Sequence, residues 1–240
     1  MRSIRRVCAV LLLMAGVQFS WGQNAQLQQP PGGLQNTMAQ RMQACVVCHG
    51  KDGRATNQGY FPRIAGKPAG YLFNQLKNFQ VRFRHYEAMN HLVQNLSDDY
   101  LRDIAKYFSE LDLPYPPAQL TKLTADEQRT AETLVLRGAP DRGIPACVSC
   151  HGQQMAGMLP AMPGLLTLPA DYLLAQLGAW RTDQRHAKDP DCMAKVAKAL
   201  RPQEISVVAK WLSAQTLPAG TKPAAASAQP MPMPCGSFLP

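Results

Sequence analysis

The same seven-residue phrase occurs twice in this chain of 240 residues, as ACVVCHG at 44–50 and as ACVSCHG at 146–152. Each copy contains C-x-x-C-H, the spacing typical of a c-type haem attachment site. Two thiols on one turn of chain reach the two vinyl groups of a haem, and the imidazole of the following His points at the iron. A chain with two such sites must fold around two porphyrins, which constrains it more than any other feature.

We therefore predict two covalently attached haem c groups. The predicted thioether-forming residues are Cys45, Cys48, Cys147 and Cys150, and the predicted proximal iron ligands are His49 and His151. A zinc site would need four ligands from neighbouring knuckles, and a thioredoxin-like pair would need a βαβ context. The sequence shows neither pattern, and the repetition of the motif favours haem.

The two halves of the chain resemble each other well beyond these motifs. Residues 60–79 align with 161–180, and residues 95–111 align with 199–215, with an offset that grows only from 101 to 104. A repeat of this length indicates a duplicated domain rather than a solenoid.

Helix signals dominate both halves, and no convincing strand alternation is present. In the first half we predict helices near 36–47, 69–84 and 97–111, the last with Ser97 as N-cap. In the second half Thr124-x-x-Glu127 is a capping box, and the last helix begins at Pro202. The predicted fold class is all-α, with two tandem domains each wrapped around one covalently bound haem.

Changes in composition along the chain predict where its segments begin and end. Three arginines precede an apolar run too short to span a bilayer comfortably, which is typical of a secretory signal. The predicted segments are a signal peptide at 1–22, a first domain at 23–113, a Pro-rich linker at 114–120, a second domain at 121–217 and a Pro/Ala/Met-rich tail at 218–240. We expect the tail to be disordered or to lie over the surface.

The net charge and the predicted export restrict the classes of binding partner. Removing the signal would lower the formal charge from +9 to +6, and four haem propionates would bring it near +2. The excess is spread without a basic block, which argues against nucleic acid as a partner. Export to the periplasm suits c-type haem, which is attached after translocation; a retained anchor and peripheral membrane association stay open.

The repeat also suggests the ligands on the far side of each haem. Met89 lies eight residues before Ser97, and Met193 lies eight residues before Arg201. We predict that both lie on a loop crossing the distal face, where a thioether would favour ferrous iron and raise the potential. The alternative is that they are ordinary core methionines.

With these residues in place, the sequence resembles the dihaem class I cytochromes c of the cytochrome c4 family. The resemblance covers about 36–215 and includes F-P-R-I-A-G at 61–66 and Met89 ahead of Leu-Ser-Asp. It implies two His/Met domains with close haems that carry electrons in the periplasm toward terminal oxidases. It also implies that the carbonyls of Pro62 and Pro163 accept a hydrogen bond from the proximal His. The second half departs from the pattern at Thr167, where the first half has Gly66.

Cys192 leaves two interpretations open, because it lies beside Met193. Its thiolate would bind iron in a dihaem enzyme such as a thiosulfate dehydrogenase, or it forms a disulfide with Cys235 in an oxidising compartment. The main hypothesis is a carrier between redox proteins, whether oxidase, reductase or dehydrogenase. A third is an electron-transfer subunit of a membrane dehydrogenase or oxidase.

Other polar side chains near the predicted ligands are expected to be solvated. These are the histidines and arginines His85, His91, His186, Arg82 and Arg84. The alternatives are that His91 displaces Met89, and that the arginines reach propionates or a partner.

Overall fold

The computed structural model describes residues 36–56, 60–228 and 230–238. The predicted signal peptide at 1–22 lies outside these residues. Within them, no helix is both long enough and apolar enough to span a membrane.

Helices make up nearly all of the regular secondary structure in the described chain. They are α1 Met38–Arg41, α2 Gln43–His49, α3 Ala69–Gln80, α4 Glu87–Val93, α5 Asp98–Ser109, α6 Ala125–Leu136, α7 Val148–His151, α8 Ala170–Arg181, α9 Cys192–Ala199 and α10 Pro202–Ser213. Short 3₁₀ turns lie at Lys51–Gly53 and Pro140–Arg142.

The two halves repeat one arrangement. Helix α3 packs on α5 in the first half, and α8 packs on α10 at the equivalent place in the second. Each half has its own apolar core, one including Leu101 and Phe108 and the other including Val208 and Leu212. The predicted all-α, two-domain fold class is confirmed.

The predicted helix starts are confirmed by their caps. The Ser97 hydroxyl accepts from the backbone N–H of Tyr100, and Thr124 and Glu127 form the reciprocal capping box. Pro202 is the first residue of α10. The ends were less well predicted: the first helix is divided near Met42 and reaches His49.

The structure adds one short hairpin that the sequence did not indicate. Gly157–Met158 (β1) and Met162–Pro163 (β2) pair as a small antiparallel hairpin after the second haem motif. A two-residue strand is too short to show alternation in sequence. This hairpin presents the carbonyl of Pro163 to His151.

The linker contains no helix, as three prolines require. It is fixed to the first domain by Arg63, whose guanidinium donates to the carbonyls of Leu113 and Pro114 at 2.7 and 2.8 Å. The linker therefore holds a defined path between the domains.

The tail lies over the surface. Ala224 exchanges backbone hydrogen bonds with Gly157 and Leu159 of the hairpin region, at 2.9 and 2.8 Å. Further on, Asn74 of the first domain donates its amide to the carbonyl of Ser237 at 3.0 Å. The tail thus contacts both domains.

Thr167 shows how the second half accommodates its departure from Gly66. Both residues have positive φ, 63° and 70°, a conformation that suits glycine better than a β-branched residue. The Thr167 hydroxyl is also buried and has no hydrogen-bond partner among the described residues.

We therefore expect Thr167→Gly to raise the free energy of unfolding by about 1 kcal/mol, because it removes both the strained backbone and the unsatisfied hydroxyl. Denaturant titration measures the change. Thr182→Gly, at an exposed helix end, is the comparison, and equal effects of the two substitutions would contradict the interpretation.

Candidate functional site

A continuous cavity of about 640 Å³ lies between and within the two domains. It is lined by every residue predicted to hold haem or iron: Cys45, Cys48, His49, Pro62, Met89, Cys147, Cys150, His151, Pro163 and Met193. The fold therefore brings the two predicted sets together around one space, much of it apolar.

Each proximal histidine is oriented by a backbone carbonyl. Nδ1 of His49 lies 2.9 Å from the Pro62 oxygen, and Nδ1 of His151 lies 2.7 Å from the Pro163 oxygen. A carbonyl can only accept, so the proton is on Nδ1 and Nε2 keeps a free lone pair. Both expected hydrogen bonds are present, and each leaves the nitrogen that iron needs.

Burial keeps these imidazoles neutral. It lowers the pKa of His49 and of His151, although the carbonyl hydrogen bonds act in the opposite direction. Arg84 adds repulsion at His49, and Lys67 does so at His151. Neutral imidazole is the form that binds a metal.

The four motif cysteines are free thiols rather than two disulfides. Burial raises the pKa of Cys45 and Cys150 and raises that of Cys147 to about 11. A reactive redox pair needs a lowered thiol pKa. The surroundings therefore disfavour the thioredoxin-like alternative and leave the thiols available for thioether bonds.

The location predicted for the two methionines was wrong in one respect. Met89 and Met193 lie on helices α4 and α9, near the start of each, and not on a loop. Both are half-buried and line the cavity. The short helices precede α5 and α10 as expected, so the equivalence of the two residues is retained.

Cys192 is joined to Cys235 in a disulfide that closes 43 residues of chain. From Met231 to Cys235 the tail alternates, with Met231, Met233 and Cys235 half-buried against the cavity and the intervening prolines exposed. We call residues 230–238 the strap. It passes over the cavity of the second domain next to Met193.

The disulfide gives a direct chemical prediction. In the haem-loaded protein without the predicted signal peptide, which contains Cys8, the four motif cysteines are expected to be thioethers. The unfolded, unreduced protein should then show no alkylatable thiol, and reduction should expose two. Intact mass after alkylation measures both numbers. Two reactive thiols before reduction would contradict the disulfide.

Arg84 is the clearest correction among the polar residues. It is 9% exposed and hydrogen-bonded to the second domain, not solvated, because α3 and α8 pack it at the domain boundary. Arg82, His85 and His91 are exposed, as predicted, although His91 lies on α4. Exposed His186 donates its backbone N–H to the Phe83 carbonyl.

The cavity also contains donors that suit haem carboxylates. Among the described residues, the indole N–H of Trp180 and Nε of Arg185 are buried without a partner, and both residues line the cavity. Buried donors normally have an acceptor. Together with the free thiols and the oriented histidines, they fit a porphyrin with propionate side chains.

Sequence reasoning missed Lys67, Trp180 and Arg185. The repeat held a signal for the last of them, since the offset that aligns Tyr71 with Tyr172 also aligns Arg84 with Arg185. A cation retained in both copies of a duplicated domain is a candidate for a role at the domain boundary.

No family model matches the chain. A protein of Stutzerimonas stutzeri (strain A1501) named "Thiosulfate dehydrogenase electron acceptor" is 34% identical over 205 residues, covering 85% of this chain and 91% of the relative. "Cytochrome c4" of Thiocapsa roseopersicina is 34% identical over 171 residues, covering 70% of this chain and 85% of the relative.

Two solved structures share the fold. Reduced recombinant cytochrome c4 from Pseudomonas stutzeri matches with a TM-score of 0.63 and 28% identity, over 73% of this chain and 95% of that one. Thiosulfate dehydrogenase (TsdBA) from Marichromatium purpuratum matches with a TM-score of 0.63 and 30% identity, over 70% of this chain. The match spans only 36% of that longer chain.

Proposed function

We propose that this chain, which belongs to the cytochrome c4 family of dihaem c-type cytochromes, accepts electrons from a thiosulfate dehydrogenase and passes them to a respiratory acceptor. Family membership gives two covalently bound haem c groups and an electron-transfer role. The choice of donor is supported by the relative named for that role, which aligns with most of the chain. It is also supported by the match to part of a longer thiosulfate dehydrogenase.

In this proposal each domain holds its haem with one repeated set of residues. The thioether bonds come from Cys45, Cys48, Cys147 and Cys150, the iron ligands are His49 with Met89 and His151 with Met193, and the orienting carbonyls are those of Pro62 and Pro163. Both irons are then six-coordinate, which suits a carrier and leaves no open position for a substrate.

The observation that favours a carrier over an enzyme is the Cys192–Cys235 disulfide. The enzymatic alternative needs a Cys192 thiolate on the second iron. A sulfur bonded to another cysteine has no thiolate to offer, so Met193 is left as the distal ligand beside it. A disulfide also suits the periplasm, where we place the protein.

The stoichiometry of the donor reaction fits two haems. Joining two thiosulfate ions through an S–S bond gives tetrathionate and releases two electrons. One electron on each iron would store both until an acceptor, such as a terminal oxidase, removes them. Two haems on one chain therefore match one turnover of the proposed donor.

Mixing the oxidised cytochrome with a thiosulfate dehydrogenase and thiosulfate tests the proposal. We expect both haems to be reduced, seen as growth of the ferrous absorption bands, and little reduction when the enzyme is left out. No reduction in the complete mixture would contradict the proposed donor. Tetrathionate production by the cytochrome alone, with an added electron acceptor, would instead support the enzymatic alternative.

A further inference from the structure

Three cationic side chains are buried at the boundary between the domains. Arg84, Arg185 and Lys67 are 9%, 4% and 6% exposed, and all three line the haem cavity. Burying a charge is costly unless it is paired and hydrogen-bonded. Their partners therefore indicate what this part of the molecule does.

Arg84 joins its own domain to the other one. Nη1 donates to the Gln75 side-chain oxygen at 3.1 Å, within the first domain. Nη2 donates across the boundary to the Tyr172 hydroxyl at 2.7 Å and to the Gln176 side-chain oxygen at 2.9 Å. One guanidinium thus bridges both halves.

Arg185 repeats this arrangement in the opposite direction. Nη1 donates to Gln176 of its own domain at 2.6 Å, and Nη2 donates across to Gln75 at 2.8 Å, with Tyr71 as a further hydrogen-bond partner. The backbones at positions 84 and 185 also pair as an antiparallel bridge. The two guanidiniums, two amides and two tyrosines form what we call the crossed clamp, defined by Tyr71, Gln75, Arg84, Tyr172, Gln176 and Arg185.

The partners of these cations within the described chain are neutral. No carboxylate there forms an ion pair with Arg84, Arg185 or Lys67, whose ammonium donates to the Gly164 carbonyl at 2.9 Å. Burial, followed by repulsion from Arg63, lowers the pKa of Lys67 to about 7, as expected for an uncompensated ammonium. The lasting positive charge is therefore that of Arg84 and Arg185, which line the cavity where haem carboxylates and iron would lie.

We propose that the crossed clamp is a shared electrostatic device, in which Arg84 and Arg185 together raise the reduction potentials of both haems. The proposal rests on the two-haem electron-transfer role given above. Ferric iron carries one more positive charge than ferrous iron, so a nearby buried cation favours the reduced state. Each guanidinium donates to groups of both domains and lines the one cavity that both haem sites share, so its charge acts on both irons and not only on the haem of its own half.

Arg84→Gln and Arg185→Gln test this in redox titrations followed by absorption. Each should lower both potentials. At the wild-type midpoints the ferrous-to-ferric ratio should fall about tenfold, the order of effect of one buried unit charge at an effective dielectric of about 20. Arg82→Gln is the matched control: it removes the same charge from an exposed position nearby, where solvent screens it. Arg82→Gln should leave both potentials near their wild-type values.

Two results would overturn the proposal. One is a shift confined to the haem of the altered half, which would show that the charge is not shared. The other is a fall of both potentials in Arg84→Lys as large as in Arg84→Gln. Because Arg84→Lys keeps the cation but loses the forked hydrogen bonds, such a fall would show a purely structural role. These titrations need no thiosulfate dehydrogenase, so their outcome is independent of whether the proposed donor is correct.

Gln75→Glu provides a variant that should fold even if loss of an arginine does not. A glutamate at this position keeps the shape of the glutamine side chain. The Gln75 side-chain oxygen accepts from both guanidiniums, and a carboxylate would accept more strongly. The added negative charge should lower both potentials. Gln94→Glu, at an exposed position, is its control, and equal shifts in the two variants would contradict the clamp.

Discussion

Met193→Ala is expected to remove the far-red charge-transfer band that a methionine sulfur gives with the ferric iron of the second haem. The band of the first haem should remain. The reduction potential of the second haem should fall by roughly 0.1–0.3 V, part of the range of about 0.8 V over which axial ligands tune haem. The reason is that the thioether stabilises ferrous iron, and water or another ligand would replace it.

Two further variants identify the ligand. Met89→Ala should remove the band of the first haem only, because Met89 is the equivalent residue of the first domain. Cys192→Ser should leave both bands in place, since the disulfide already withholds that sulfur from iron. The reverse pattern, with the second haem altered by Cys192→Ser and unaffected by Met193→Ala, would refute the carrier interpretation and favour the enzyme.

Much of the site was predictable because the chemistry of haem attachment is local in sequence. The spacing of Cys45, Cys48 and His49 is enough to name their roles, and the repeat transfers these roles to the second half. The helix starts at Ser97 and Thr124 were also local, since a cap and its helix are only a few residues apart.

What was missed depends on contacts between distant residues. Arg84 lies in the polar segment V-R-F-R-H, which gives no sign of burial until α8 of the other domain packs against it. Met89 was expected on a loop because α4 is short and its N-cap residue, Tyr86, provides no side-chain cap. The strap was predicted in part: its composition left disorder and a path over the surface both open, and the disulfide to Cys192, 43 residues earlier, was one of two interpretations of that cysteine. The hydrogen bond from Asn74 to the Ser237 carbonyl, between distant residues, gave no signal in the sequence.

The strap leads to the second large expected effect. Cys235→Ser should lower the free energy of unfolding by up to about 4 kcal/mol, the chain-entropy value for a closed loop of 43 residues. Thermal or denaturant unfolding of the haem-loaded protein measures the loss. The variant Cys192→Ser/Cys235→Ser should lose no more than either single variant, because both substitutions break the same bond.

Local opening should accompany the loss of stability, and it should be confined to one domain. Strap residues line the cavity beside Met193, whereas Leu92, which lines the cavity close to Met89, is 47% exposed. Added imidazole should therefore displace the methionine of the second haem faster in Cys235→Ser than in the wild type. The rate of methionine displacement at the first haem should be the same in both proteins. Equal acceleration at both haems would indicate general destabilisation, and unchanged rates at both would mean that the strap does not protect the second iron.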